Sequence, residues 1–228
     1  MKVCVLSSGS KGNSTLVITD KVKILIDLGT TTSYVEAALN NLNVDVKEIS
    51  HILITHSHAD HIKGLKVFIK RYNPVILVTE DMKNVLEKEL GNFRYEYYED
   101  KKAIIGDLTV NVIKTSHDAE ESIGFVLTNN NSSMVYITDT GYINQKYFKI
   151  LSNNNLYVLE SNHDIKMLMD GPYPYYLQQR VRGDKGHLSN KQASDYLCKF
   201  IGDNTVPTIG FLLQNKKLML KKNLKVIL

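Results

Sequence analysis

Six consecutive residues, His56-Ser57-His58-Ala59-Asp60-His61, follow the apolar run Ile52-Leu53-Ile54 and Thr55 and constrain this chain more than any other feature. Three imidazoles and a carboxylate directly after a buried strand make poor packing material, because burial strands their polar atoms. The same groups are good donors to zinc, manganese or iron, and none requires an oxidising compartment. In extended backbone, residues two apart face the same side, so His56 and His58 can grip one ion. Where the chain turns into a helix, Asp60 and His61 project elsewhere and reach a second. Two ions roughly 3.5–4 Å apart can share one water and clamp both attacking and leaving oxygens. Such a centre needs ligands from later strand ends as well, and two positions suit. His117 follows the strand pattern Val110–Lys114, and Asp139 follows Val135-Tyr136-Ile137-Thr138.

The remaining pattern supplies those strands. The runs Val3–Ser7, Thr15–Thr19, Val22–Asp27, Ser50–Thr55 and Val75–Thr79 predict strands in the first half. In the second half, Leu108–Lys114, Ser122–Asn129, Met134–Thr138, Leu156–Glu160 and Thr208–Leu213 do the same. Helical spacing predicts helices over Ser33–Leu42, Ile62–Tyr72, Asp81–Leu90, Gln145–Leu151 and Asn190–Phe200. No linker divides the halves, so two sheets face to face with helices outside, forming one compact unit, is the expected α/β architecture. The loop around Gly9 and Gly12, with Ser8, Ser10, Asn13 and Ser14, reads as a glycine-turned hairpin. It lacks the lysine spacing of a nucleotide-binding P-loop.

Composition narrows the class. Hydrophobic residues make up 43% of the 228, enough for a packed interior. No apolar run approaches the roughly 18 residues of a spanning helix, and the amino end lacks a secretory layout, so a cytoplasmic protein is expected. Cys4 and Cys198 have no disulfide or zinc-knuckle spacing and are expected to be buried small hydrophobes. The net charge of +4 is misleading, because five lysines and no acid fall within residues 211–228 and the rest is near neutral. Bulk charge therefore gives little support for nucleic-acid binding.

HSHADH matches the HxHxDH signature of metallo-β-lactamase-fold hydrolases, with Asp27 in LIDLG, His117 and Asp139 following the family's order. The segments SSGSKGNST, SHDAEESIGF, YITDTG, LESNHD and GDKGHLSN resemble the YycJ/WalJ subgroup over about residues 1–210. That resemblance implies a four-layer αββα sandwich and two divalent ions, zinc or manganese. His56, His58 and His117 would hold one, Asp60 and His61 the other, and Asp139 would bridge. Asp27 would steady the HxHxDH loop instead of binding metal. The resemblance further implies a metal-dependent nuclease, a DNA exonuclease before an RNA enzyme, in which a metal-activated hydroxide attacks a phosphodiester. Asp60 would help orient it, and His187 in Gly186-His187-Leu188-Ser189 would protonate the leaving oxygen. His163 is open between a structural role and substrate contact. Arg180, Arg182 and Lys185, preceded by Tyr173, Tyr175 and Tyr176, are compatible with a phosphate backbone and stacked bases, or with a solvated turn over core tyrosines.

The match ends within residues 206–213. The family places a last histidine ligand there, and no histidine follows His187. Residues 211–228 form an atypical Lys-rich tail, read either as an amphipathic segment or, preferentially, as the product of a frameshift or truncation. The second ion is then expected to bind more weakly. Two alternatives therefore stand beside the nuclease: a hydrolase of small esters, thioesters or lactones, and a weakly active remnant. The sequence leaves the oligomeric state open.

Overall fold

Runs of buried side chains build two six-stranded sheets, ordered β1-β2-β3-β4-β5-β6 and β12-β11-β10-β9-β8-β7. The computed structural model describes residues 1–130, 132–206 and the backbone of 210–212. The chain divides into two units, Met1–Val110 with Ala119–Glu121, and Asn111–Asp118 with the described residues from Ser122 on. The division falls inside a strand, where no change in composition could mark it.

The first unit holds β1 (Lys2–Ser7), β2 (Ser14–Ile18), β3 (Lys23–Ile26), β4 (Ile49–Leu53), β5 (Val75–Val78), β6 (Tyr95–Tyr97) and β7 (Lys102–Ile105). Its helices are α1 (Thr32–Asn41), α2 (Ala59–Ile62), α3 (Leu65–Tyr72) and α4 (Glu80–Leu90). β1, β2 and β3 are antiparallel neighbours, and Gly12 N–H donates to the Gly9 carbonyl at 2.8 Å, closing the glycine turn as the sequence suggests. From β3 to β6 the pairing is parallel. Parallel neighbours need crossovers, which α1, α2 with α3, and α4 supply. β5 is buried at every position, as befits a parallel strand covered on both faces. Val35 and Leu39, Leu65 and Phe68, and Met82 and Leu86 are the buried apolar stripes of α1, α3 and α4.

The helix expected over Ile62–Tyr72 is in fact two. Gly64 interrupts it: its N–H donates to the Leu28 carbonyl at 2.9 Å, and its own carbonyl accepts from Thr32 Oγ1 at 2.9 Å. A Cβ there would lie 2.2 Å from the Thr30 carbonyl oxygen. The strand β6 escaped the sequence pattern because all three of its residues are exposed and show no alternation.

The second unit holds most of β8 (Leu108–Lys114), then β9 (Ile123–Asn129), β10 (Ser132–Ile137), β11 (Leu156–Glu160) and β12 (Gly210–Leu212). Its helices are α5 (Phe148–Leu151), α6 (Ile165–Met169), α7 (Tyr175–Arg182) and α8 (Asn190–Phe200). β9 and β10 are antiparallel, while β10, β11 and β12 run parallel, with Glu160 opposite Leu212. Val135, Ile137, Tyr157 and Leu159 pack with Leu188, Leu197 and Phe200 in one core. Ser189 and Gln192 close a capping box at the start of α8. Contrary to expectation, Cys198 is exposed and Cys4 only half-buried. Cys198 lies off the stripe Ala193, Leu197 and Phe200 that α8 buries. The Lys-rich tail lies outside the described residues, apart from the backbone of Phe211 and Leu212. No described helix is long and apolar enough to cross a membrane.

Three backbone hydrogen bonds, each 2.8 Å, tie the loops of the first unit together: Asn13 to Asp60, Leu28 to His61, and Gly29 to Asn13. Gly29 permits this approach, since a Cβ on it would sit 1.6 Å from the Asp60 carbonyl oxygen. Gly29→Ala should therefore cost more than the about 1–3 kcal/mol of ordinary overpacking. Urea unfolding checks this; an unchanged midpoint would contradict it.

Candidate metal centre

In the first unit, β3 ends one residue before Asp27 and β4 ends shortly before Thr55. Asp27 adopts a left-handed φ of 60° and is completely buried. Its carboxylate accepts the Thr55 N–H at 2.8 Å and the Thr55 hydroxyl at 2.9 Å, and hydrogen-bonds His61 Nδ1 at 2.8 Å. Burial pushes its pKa up, and the hydrogen bonds and charge from His61 and Thr55 only partly offset this. A carboxylate on Nδ1 fixes the ring and tautomer of a histidine, leaving Nε2 as the donor to a metal. His61 Nε2 lies 3.1 Å from Asn13 Nδ2 and 3.7 Å from Asp60 Oδ2.

One turn of helix, α2, displays the remainder. His58 takes extended backbone at its start, and His61 N–H returns to the His58 carbonyl at 2.8 Å. The His56 ring centroid lies 4.0 Å from that of His61 and 4.7 Å from that of His58. His56 and His61 are buried, while His58 and Asp60 are partly open to solvent. Imidazoles this close together, beside a carboxylate, are a fitting donor set for a divalent ion.

The second unit presents its own cluster. His117 follows β8, Asp139 follows β10 and His187 precedes α8, and each offers a ligand atom within 4.8 Å of the others. His117 Nδ1 lies 3.2 Å from the Gly186 carbonyl, and burial lowers its pKa, which favours the neutral, metal-ligating form. Asp139 is buried, with φ at 40°. Glu160, at the end of β11 and completely buried, accepts the Thr140 N–H at 2.7 Å and the Leu188 N–H at 3.1 Å. Its other oxygen holds His187 Nδ1 at 3.0 Å, with Asp139 Oδ1 3.3 Å away. Burial works against a charge on His187. The hydrogen bond and charge of Glu160, joined by Asp139 and Asp118, outweigh it and hold the pKa at about 9. His163 is buried nearby, and burial takes its pKa down to about 4.

Within each unit the expected residues therefore stand together: His56, His58, Asp60 and His61 in one, His117, Asp139 and His187 in the other. Sequence reasoning missed three of their supports, namely Thr55, Asn13 as a partner of Asp60 and His61, and Glu160. Glu160 carried the signal that singled out Asp139, an acid at the end of an apolar strand.

Residues 23–208 match the beta-lactamase superfamily domain. An exodeoxyribonuclease, YycJ, of Bacillus anthracis is 36% identical over 205 residues, covering 88% of this chain and 78% of that protein. An exodeoxyribonuclease, WalJ, of Streptococcus pneumoniae is 32% identical over 210 residues, covering 90% and 78%. The metallo-beta-lactamase fold protein YhfI of Bacillus subtilis superposes with a TM-score of 0.70 at 18% identity, over 94% of this chain and 86% of that one. The architecture, mixed α/β with two sheets flanked by helices, is the metallo-β-lactamase fold.

Asp27→Ala would leave Thr55 and His61 without their buried acceptor. Its expected cost is about 3–5 kcal/mol, the range for breaking a buried pair. Asp27→Asn, which keeps an acceptor and tolerates the left-handed backbone, should cost less. Chemical denaturation measures both, and equal losses would contradict the assignment.

Proposed function

The chain belongs to the metallo-β-lactamase superfamily of hydrolases, and on that footing we propose that it is a metal-dependent phosphodiesterase acting on nucleic acid, on DNA before RNA, as an exonuclease. His56, His58 and His117 would hold one divalent ion, zinc or manganese. Asp60 and His61 would hold a second, and Asp139 would serve as a further ligand. Ions bound there would acidify a water and offset the charge of a phosphodiester.

The chain's own residues do the rest. Asp27 orients His61, and Asp60 accepts a hydrogen bond from the attacking water. His187 is the observation that carries the phosphodiester reading. Glu160 holds its Nδ1 at 3.0 Å, which leaves Nε2 as the atom that would carry a proton to the leaving oxygen. A cation beside Asp139 suits a phosphate substrate better than a neutral acyl group. The names of the two relatives near one-third identity support the same reading and favour DNA. Residues 207–228 hold no histidine, and an ion held by Asp60, His61 and Asp139 alone would bind more weakly. A cytoplasmic location accords with a DNA substrate.

The test uses protein supplemented with manganese or zinc and assayed on end-labelled DNA, RNA, bis-p-nitrophenyl phosphate and a panel of acyl esters. DNA should be degraded from its ends. His187→Gln should lower turnover by about 10²–10⁴-fold, the usual worth of a positioned proton donor. Its metal content should be unchanged. Ester cleavage without phosphodiester cleavage would reject the nuclease reading.

A further inference from the structure

Helix α7 buries only Gln178 among its eight residues. Tyr175 and Tyr176 are 71% and 74% exposed, more than any other large hydrophobic among the described residues. The same helix carries Arg180 and Arg182 and no acid, and the exposed Lys185 follows three residues later. The core gains nothing from two adjacent aromatic rings in water. They suit a partner that brings flat apolar faces and negative charge.

The helix is also fastened to the donor cluster of its own unit. Arg180 pairs with Asp118 at 2.6 Å, and Asp118 adjoins His117. His187 N–H donates to the Val181 carbonyl at 2.9 Å. A Cβ on Gly186 would lie 2.3 Å from the carbonyl oxygens of Arg180 and Val181, and one on Gly141 would lie 2.2 Å from that of Asp184. The segment from Arg180 to His187 therefore runs against the loop that carries Asp139 and ends at the proton donor.

We propose that α7 and the turn after it are the docking track of a single-stranded polynucleotide. Its bases stack on Tyr175 and Tyr176, and its phosphates meet Arg182 and Lys185. This rests on the phosphodiesterase reading and names the form of its substrate. Stacking on an exposed tyrosine requires an unpaired base face, which a duplex hides, and it tolerates any sequence. α7 carries no acid, and Arg182 and Lys185 outnumber Asp184, the one acid of the turn, so the track is net basic and complementary to phosphate.

The experiment measures fluorescence anisotropy of a short labelled oligothymidine with the full chain in chelator, beside metal-supplemented turnover of bis-p-nitrophenyl phosphate. Replacing both tyrosines by alanine should weaken oligonucleotide binding by about tenfold or more. Replacing both by phenylalanine should preserve it, and a duplex should bind more weakly and ignore both changes. Small-phosphodiester turnover should stay at the wild-type level in every variant. Wild-type affinity in the alanine variant would overturn the proposal. So would sedimentation in which the alanine variant loses a dimer while its affinity is unchanged, since the patch would then be a self-interface. Tyrosine-dependent binding without turnover in any preparation would uphold the track and reject the phosphodiesterase reading.

Discussion

The buried carboxylate of Asp27 is the interaction on which the first unit's chemistry depends. A charge taken fully out of water costs several kcal/mol unless donors surround it. Here the donors are Thr55, just after β4, and His61, on the single turn of α2. Satisfying one acid at the end of β3 thus sets the path of the chain from strand into histidine loop. Leu28, Gly29 and Asn13 then lock that path through backbone hydrogen bonds, and only a glycine fits at position 29. The histidine loop is short and has little regular structure of its own. Its precision comes from this neighbour.

The second unit solves a similar problem with Glu160. Again an acid closes an apolar strand and again one oxygen holds an imidazole, but here the acid accepts two backbone N–H groups, from Thr140 and Leu188, instead of one. The consequences differ because the surroundings differ. His61 sits with its Nε2 3.1 Å from Asn13 Nδ2 and 3.7 Å from Asp60 Oδ2. His187 sits among Glu160, Asp139 and Asp118, whose negative charge outweighs desolvation and keeps it protonated.

Much of this was legible in the sequence, for physical reasons. HSHADH stood out because no packing argument accounts for three imidazoles after Ile52-Leu53-Ile54. The strands β8, β9, β10 and β11 stood out because their β-branched runs are bounded by turn residues. What stayed hidden lacked periodicity or depended on contacts distant in the chain. Asn13 looked like one more polar residue in a glycine turn, and nothing local shows that it meets Asp60, 47 positions away. Thr55 and Glu160 read as ends of apolar strands until the segments they hold were placed. α6 and α7 gave no signal because short helices that bury a single residue leave no stripe. Gly64 was absorbed into a longer helix because its reason for being there is the carbonyl of Leu28.

Anomalous diffraction from crystals of the full chain grown with zinc or manganese tests the metal-dependent reading most directly. A strong peak should lie within bonding distance of imidazole nitrogens of His56, His58 and His117, about 2.0–2.1 Å for zinc. On the proposed assignment a weaker peak should lie beside Asp60 and His61. No peak at these residues in crystals holding the metal elsewhere would contradict the assignment, and two equally occupied peaks would contradict the weakened second site.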